Sequence, residues 1–149
     1  MILAPAGVAD AADLAAAHAA AFEEGWDAHA IAGLLSSSPG AFALAVRRRS
    51  RVSGFILARV AADEAEVLTL AVRPESRRRG IGAALLHGAM AAAAAGDARS
   101  VFLEVAADNP AALALYENAG FAVVARRGGY YARQATVVDA LVMRRALNR

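Results

Sequence analysis

The chain has 149 residues, 58% of them hydrophobic, which suits one domain (1–149) with a real core. Cysteine is absent, excluding a disulfide framework, a thiol nucleophile and a thiolate metal site, and all 16 cationic side chains are arginine, excluding a catalytic or Schiff-base lysine. The net charge is only +2, and the arginine-only, alanine-rich composition makes the count of arginines less informative than their placement. No apolar run reaches the length of a membrane span. The nearest, Ala83 to Gly96, is too short and too rich in alanine. The first residues lack the basic-then-apolar pattern of a secretory leader, so a cytoplasmic protein without a membrane partner is expected.

In chain order, Met1 to Ala6 reads as a short first strand. Asp10 is placed to cap a helix through Leu14, Ala17, His18, Ala21 and Phe22, and Asp27 to cap a second, Ala28 to Leu35. Ser36 to Gly40 is a loop. Ala41 to Arg48 and Val52 to Val60 read as a hairpin turned by Arg47–Arg51, with Gly54 at a bulge. Asp63–Glu64 turns the chain into a third strand, Ala65 to Val72. A helix from about Gly82 to Ala95, terminated by Gly96, leads to a strand Ser100 to Ala106. A strand, a helix and a strand in that order predict a parallel crossover. Asn109–Pro110 opens the next helix, with Asn as cap and Pro at the first helical position, and Gly120 stops it. Phe121 to Ala125 is then a strand, Gly128 to Tyr131 a loop and Thr136 to Arg144 the last strand.

The segment Arg77-Arg78-Arg79-Gly80-Ile81-Gly82 falls between a strand and a helix. There, unpaired backbone N–H groups, a helix N-terminus and glycines without a Cβ can close around one anion, with phosphate or pyrophosphate the fitting guest. Taken alone, the same six residues also read as a tight turn with no ligand. Glu104 lies among apolar neighbours in what reads as a central strand, where a carboxylate needs a partner or a task. An ion pair with an arginine, or a place at the solvent end of the strand, would satisfy it equally. Tyr116 sits two turns into the following helix, and by itself reads as a core aromatic. His18, His29 and His87 show no metal spacing and read as structural, so no metal is expected.

Taken together, Arg-x-x-Gly-x-Gly at a helix start, a strand, then Asn-Pro-Ala-Ala-x-x-Leu-Tyr-Glu-x-Ala-Gly-Phe resemble the GNAT acetyltransferases, over nearly the whole chain. More narrowly, Leu103-Glu104-Val105, Tyr116, Arg126-Arg127-x-x-Tyr130-Tyr131 and Asp139 to Met143 are similar to the RimI-type enzymes, as are His18, Phe22 and Trp26. Val138 and Gly129 depart from that pattern. The resemblance implies a mixed α/β fold: a mostly antiparallel sheet, a splayed parallel strand pair and flanking helices. It implies acetyl-CoA as co-substrate. The backbone of Leu70, Ala71 and Val72 would bond its pantetheine arm. Arg77 would open the motif, Arg78, Arg79, Gly80, Ile81, Gly82 and Ala83 would wrap its pyrophosphate, and Asn109 would reach it from across the gap. The acceptor it implies is a protein N-terminus, the alanine of a small-subunit ribosomal protein, near Trp26, Tyr130 and Tyr131.

The chemistry can be set beside this. An α-amine, with a pKa of about 7.7–8.0, must lose its proton before attacking a thioester, and a carboxylate such as Glu104 can take it directly or through water. A phenol such as Tyr116 can protonate the departing thiolate, and a backbone N–H near Val72 can hold the oxyanion. Two other readings stay open: an acetyltransferase acting on a lysine or a small amine, and a non-catalytic acetyl-CoA- or RNA-binding module. The run Arg47–Arg51, without interleaved aromatics, reads as a solvated turn rather than a nucleic-acid contact.

Overall fold

The computed structural model describes residues 1–133 and 136–147. Its elements follow the order β1 (Leu3–Ala6), α1 (Ala11–Ala21), α2 (Ala28–Ser37), β2 (Ala41–Arg48), β3 (Arg51–Ala61), β4 (Glu64–Val72), α3 (Ile81–Ala95), β5 (Ser100–Ala106), α4 (Pro110–Asn118), β6 (Ala122–Arg133) and β7 (Thr136–Ala146). One seven-stranded sheet runs β1-β2-β3-β4-β5-β7-β6, and only β4 and β5 are parallel. This is the expected mixed α/β fold.

Helices cover the sheet unequally. On one face α3 lies across the strands, and Leu85, Leu86, Ala89, Met90 and Ala93 meet Val67, Val101, Leu103, Val105 and Met143 in the larger core. Its contact is close: a Cβ on Gly88 would stand 2.8 Å from Leu3 Cδ2. On the other face α1 and α2 bury Leu14, Ala17 and Ile31 against Ala43, Phe55, Leu57 and Ala71. They pack on β2, β3 and β4, and alternation along β5 therefore turns Phe102 and Glu104 toward a face that these helices do not cap.

Two features of the sheet place the site. Along β3 and β4, Leu57 pairs with Thr69 and Ala58 with Val67, so Leu68 is an extra, bulged residue. Leu68 and Thr69 consequently both face α1, while Val67 and Leu70 face α3. The second feature is a fork: β4 and β5 pair only over Glu64–Glu66 and Ser100–Phe102, although β4 continues to Val72 and β5 to Ala106. Past that point β5 stays paired with β7, and β4 with β3.

Several boundaries differ from the sequence reading, each for a local reason. Asp10 precedes α1 without capping it. Its carboxylate instead accepts from Gly7 N–H at 2.8 Å and pairs with Arg47 at 2.7 Å. The bulge near Gly54 is at Ser53, since Val46 pairs with Gly54 and Arg47 with Val52. At the end of α3 the left-handed residue is Asp97, not Gly96. Gly128 to Tyr131 is part of β6 rather than a loop: Arg127 pairs with Ala140 and Tyr131 with Val138, so three residues bulge opposite Asp139. Asn109 and Gly120 act as read: Asn109 Oδ1 accepts from Ala112 N–H at 3.1 Å, and Gly120 has φ +93°. The last strand ends at Ala146, two residues beyond the expected Arg144.

Candidate functional site

The loop from β4 to α3 is held at its root. Arg73, only 6% exposed, donates from Nε to the Val52 carbonyl at 2.7 Å, and its N–H donates to Ser53. The chain then makes a 3₁₀ turn (Pro74–Ser76), and Arg77 to Gly80 stand exposed. Arg78 (φ +64°) and Gly80 (φ +75°) both adopt left-handed backbone, and Gly80 is the residue before α3. The first N–H groups of α3, a helix of 15 residues, have no partners within the helix and open onto this loop. Gly82 lies deeper: a Cβ there would meet Leu115 Cδ2 at 3.4 Å and Val72 Cγ2 at 3.8 Å, between α3, α4 and the end of β4. The Val72 carbonyl accepts from Arg77 Nε at 3.3 Å, so it is already engaged, whereas the β5-facing edge of β4 has no strand partner from Val67 onward. An extended molecule with amide groups fits along that edge, and an anion fits at its end.

Glu104 lies two residues past the last β4–β5 pair, at the crotch of the fork. Its carboxylate is 28% exposed and forms an ion pair with Arg127 Nη1 at 3.1 Å. Both line an open cavity of about 280 Å³ on the uncapped face, together with Arg59, Glu66, Phe102 and Val142. Arg127 in turn lies over the Tyr130 ring, 5.4 Å from its centroid.

Tyr116 belongs to the opposite face. It is 8% exposed within the α3–α4 core and edge-on to Phe121 at 6.1 Å. Burial, helped by the charge that Tyr131 would carry if ionised, pushes its phenol up to about 12. Tyr131 itself is half-buried and edge-on to the exposed Tyr130 at 5.1 Å. A carboxylate on one face and a phenol on the other thus flank strands that have parted.

Trp26 forms a separate cluster. Its backbone N–H donates to His18 Nδ1 at 3.0 Å, and its ring stacks on the imidazole at 5.1 Å. With Nδ1 accepting, Nε2 is the protonated nitrogen and donates to Thr69 Oγ1 at 3.0 Å. Burial holds the His18 pKa below its ordinary value. The imidazole therefore ties the α1–α2 connection to the β4 bulge, a task beyond the structural role read from sequence. Asp139 does the same for β6. It accepts from Gly129 N–H at 2.8 Å and from Arg126 Nε, and those two bonds hold its carboxyl below the usual value. The sequence marks Arg127 and Asp139 only by their places in Arg126-Arg127 and Asp139-Ala140; their roles are not legible there, because their partners lie 23 and 10 residues away.

The structure thus groups Glu104 with Arg127 and Tyr130, Tyr130 with Tyr131, Tyr116 with Phe121, and Trp26 with His18. Leu70 to Ala83 lie along the β4 edge and the α3 entrance. Asn109 caps α4 through its amide oxygen. Among the described residues no group of three or more His, Asp or Glu side chains could hold a metal ion, and no helix is long and apolar enough to cross a membrane.

Known proteins share this fold. The chain is 37% identical over 93 residues to the [ribosomal protein bS18]-alanine N-acetyltransferase of Salmonella typhimurium, a match that takes in 62% of this chain and 63% of that relative's length. The crystal structure of the ribosomal-protein-S18-alanine N-acetyltransferase from Escherichia coli superposes with a TM-score of 0.92 at 25% identity, covering 99% of this chain and 94% of that one. An Arabidopsis thaliana protein solved in complex with acetyl-CoA, NAA60, shares the fold at a TM-score of 0.83 and 22% identity over 99% of each chain. The parted strands β4 and β5, the glycine-bearing helix entrance and the Asn-capped α4 fall within residues 11–121, which match the acetyltransferase (GNAT) family, and to that family the chain belongs.

Proposed function

We propose that this protein transfers the acetyl group of acetyl-CoA to a protein N-terminal α-amine, the N-terminal alanine of a small-subunit ribosomal protein in the cytoplasm. The observation that carries the reading is the fork. It leaves the β4 edge beside Leu70, Ala71 and Val72 without a strand partner, near the entrance of α3, and in this reading Glu104 and Tyr116 stand on either side of it. Family membership and the name of the Salmonella relative support the choice of reaction and acceptor.

When bound, acetyl-CoA supplies an activated acyl group. The chain's residues do the rest. Backbone along β4 orients the pantetheine arm, and Arg77, Arg78, Arg79, Gly80, Ile81, Gly82 and Ala83 take the diphosphate at the helix entrance, with Asn109 across the fork. Glu104 removes a proton from the acceptor ammonium on the uncapped face, and Arg127 must yield as that cation arrives. The new N–C bond forms as the C–S bond breaks. The Tyr116 hydroxyl then donates to the leaving sulfur from the opposite face. Trp26, Tyr130 and Tyr131 border the acceptor.

The test is acetyl transfer to peptide panels followed by mass spectrometry. Acetylation confined to the α-amine of peptides beginning Ala-Arg is expected. Acetylation of lysine side chains or polyamines instead would replace this reading with a GNAT enzyme of another acceptor, and acetyl-CoA binding without transfer to any amine would leave a binding module.

A further inference from the structure

Charge is distributed very unevenly over the molecule. Arg47, Arg48, Arg49 and Arg51 at the β2–β3 turn, with Arg73, Arg77, Arg78 and Arg79 before α3, are half of the 16 cations. Residues 47–51 and 73–79 together hold one carboxylate, Glu75, and Asp10 and Asp13 are brought to the hairpin by their pairs with Arg47. Read as separate runs, each stretch of arginine is an ordinary solvated turn. The fold makes them one surface: Arg47 and Arg48 from the hairpin and Arg79 from the other loop line a single cavity of about 380 Å³ beside Met1 and Ile2.

Three of the eight are already used within the protein. Arg73 is buried on the Val52 carbonyl, Arg47 is held by Asp10 at 2.7 Å and Asp13 at 3.2 Å, and Arg77 donates from Nε to the Val72 carbonyl at 3.3 Å. Arg48, Arg49, Arg51, Arg77, Arg78 and Arg79 are exposed. Arg49 and Ser50, at φ +52° and +67°, make the two-residue turn that carries the hairpin arginines at its tip.

We infer that this double-loop arginine surface docks the phosphate backbone of a folded RNA. Guanidinium groups spread over two loops match a row of phosphodiesters, each able to take two parallel hydrogen bonds. Neither loop carries an aromatic residue, so bases are not stacked and the contact reads backbone rather than sequence. The surface continues past the helix entrance onto a hairpin remote from Glu104 and Tyr116, so a large anion can lie on it without filling the fork. The nucleic-acid assignment stands on charge placement alone. Only the choice of RNA over DNA rests on the proposed ribosomal acceptor.

The test measures binding, not acetyl transfer, so it fails separately from the proposed function. A fluorescein-labelled RNA hairpin and a DNA hairpin of the same sequence are titrated by anisotropy between about 50 and 200 mM salt, with and without saturating acetyl-CoA. Wild type should bind the RNA with a steep salt dependence and keep it when acetyl-CoA is present. The variant Arg48→Glu/Arg49→Glu/Arg51→Glu should lose about tenfold or more in affinity and reduce the salt slope by about 3, with acetyl-CoA affinity and melting temperature unchanged. The milder Arg48→Gln/Arg49→Gln/Arg51→Gln should show a smaller loss in the same direction, and Arg99→Glu at the other end none. The inference is overturned if wild type shows no salt-dependent RNA binding, if the hairpin variants bind as wild type, or if Arg99→Glu weakens binding equally. Displacement by acetyl-CoA would assign the RNA to the diphosphate cradle, and equal binding of DNA would remove the RNA assignment.

Discussion

Burial of Tyr116 sets a tension in the acid step. A phenol held near 12 stays protonated at neutral pH, as a donor must, but it is a weaker acid than a thiol of about 8.5 in water. Full proton transfer becomes downhill only if the sulfur anion forms in the same desolvated setting, where its own basicity rises too. Tyr116 is therefore best viewed as donating a hydrogen bond as the C–S bond lengthens, with the proton following. Tyr116→Phe should lower turnover by about 10²-fold or more and leave acetyl-CoA affinity nearly intact, as read by stopped assays beside calorimetric titration. Unchanged turnover would remove it as the acid. Glu104 poses the complementary question, because Arg127 holds its carboxylate at 3.1 Å. Glu104→Gln should cost most below the amine's pKa of about 7.7–8.0, where a proton remains to be removed. A pH-independent loss would mean that Glu104 positions the acceptor instead. Both residues are prominent in sequence by type and neighbourhood. That Glu104 is paired with an arginine, and with which one, is not, since Arg127 arrives from a strand whose register depends on a three-residue bulge.

Among elements, the α3 entrance separates the roles of its two glycines. Gly80 requires its φ of +75°, although a Cβ there would meet no atom within 4 Å. A valine would strain the backbone by about 1–2 kcal/mol and reset the direction in which the helix begins. Gly82 needs the space between Leu115 and Val72, where valine methyl groups would enter the floor of the cradle. Gly80→Val and Gly82→Val should each weaken acetyl-CoA binding more than Arg79→Ala in calorimetric titration, and normal binding by both valine variants would remove the cradle. The β6 bulge is governed likewise by one carboxylate. Asp139→Ala, losing the Gly129 and Arg126 bonds, should reduce turnover about tenfold while the cofactor binds as before. The strand–helix–strand crossover, the Asn109 cap and the Gly80 entrance were legible because each rests on neighbours in sequence. The bulges at Ser53, Leu68 and Gly128–Tyr130 were not, because a bulge is defined by the partner strand.

For the whole molecule, two linkages act in one direction. An unfolded histidine takes up a proton near pH 6.5, whereas His18 in the fold resists it until lower pH. The stability it contributes is complete above that value and drains as pH falls through the folded one. Asp139 adds a second loss on the same side, below the ordinary aspartate value of 3.8. Melting temperature should therefore decline on acidification from about pH 6.5, and His18→Gln should flatten the first part of that decline; a wild-type curve level from pH 7 to 5 would contradict it. The β2–β4 meander and the parallel crossover followed from the sequence pattern, but the place of β7 between β5 and β6 and the length of the parallel pair did not. Among the described residues, three paired positions per strand, Glu64–Glu66 with Ser100–Phe102, are the only direct pairing between a leaf of β1 to β4 and a leaf of β5 to β7. The molecule is in this sense an open book, bound by a short spine and by α3. A ligand laid along the inner margin would add the missing rungs, so acetyl-CoA should act as a structural splint as well as a reactant. Among Val67 to Val72, the amide hydrogens directed at the fork rather than at β3 should exchange quickly in the free protein and slow sharply on binding, while those of β2 change little.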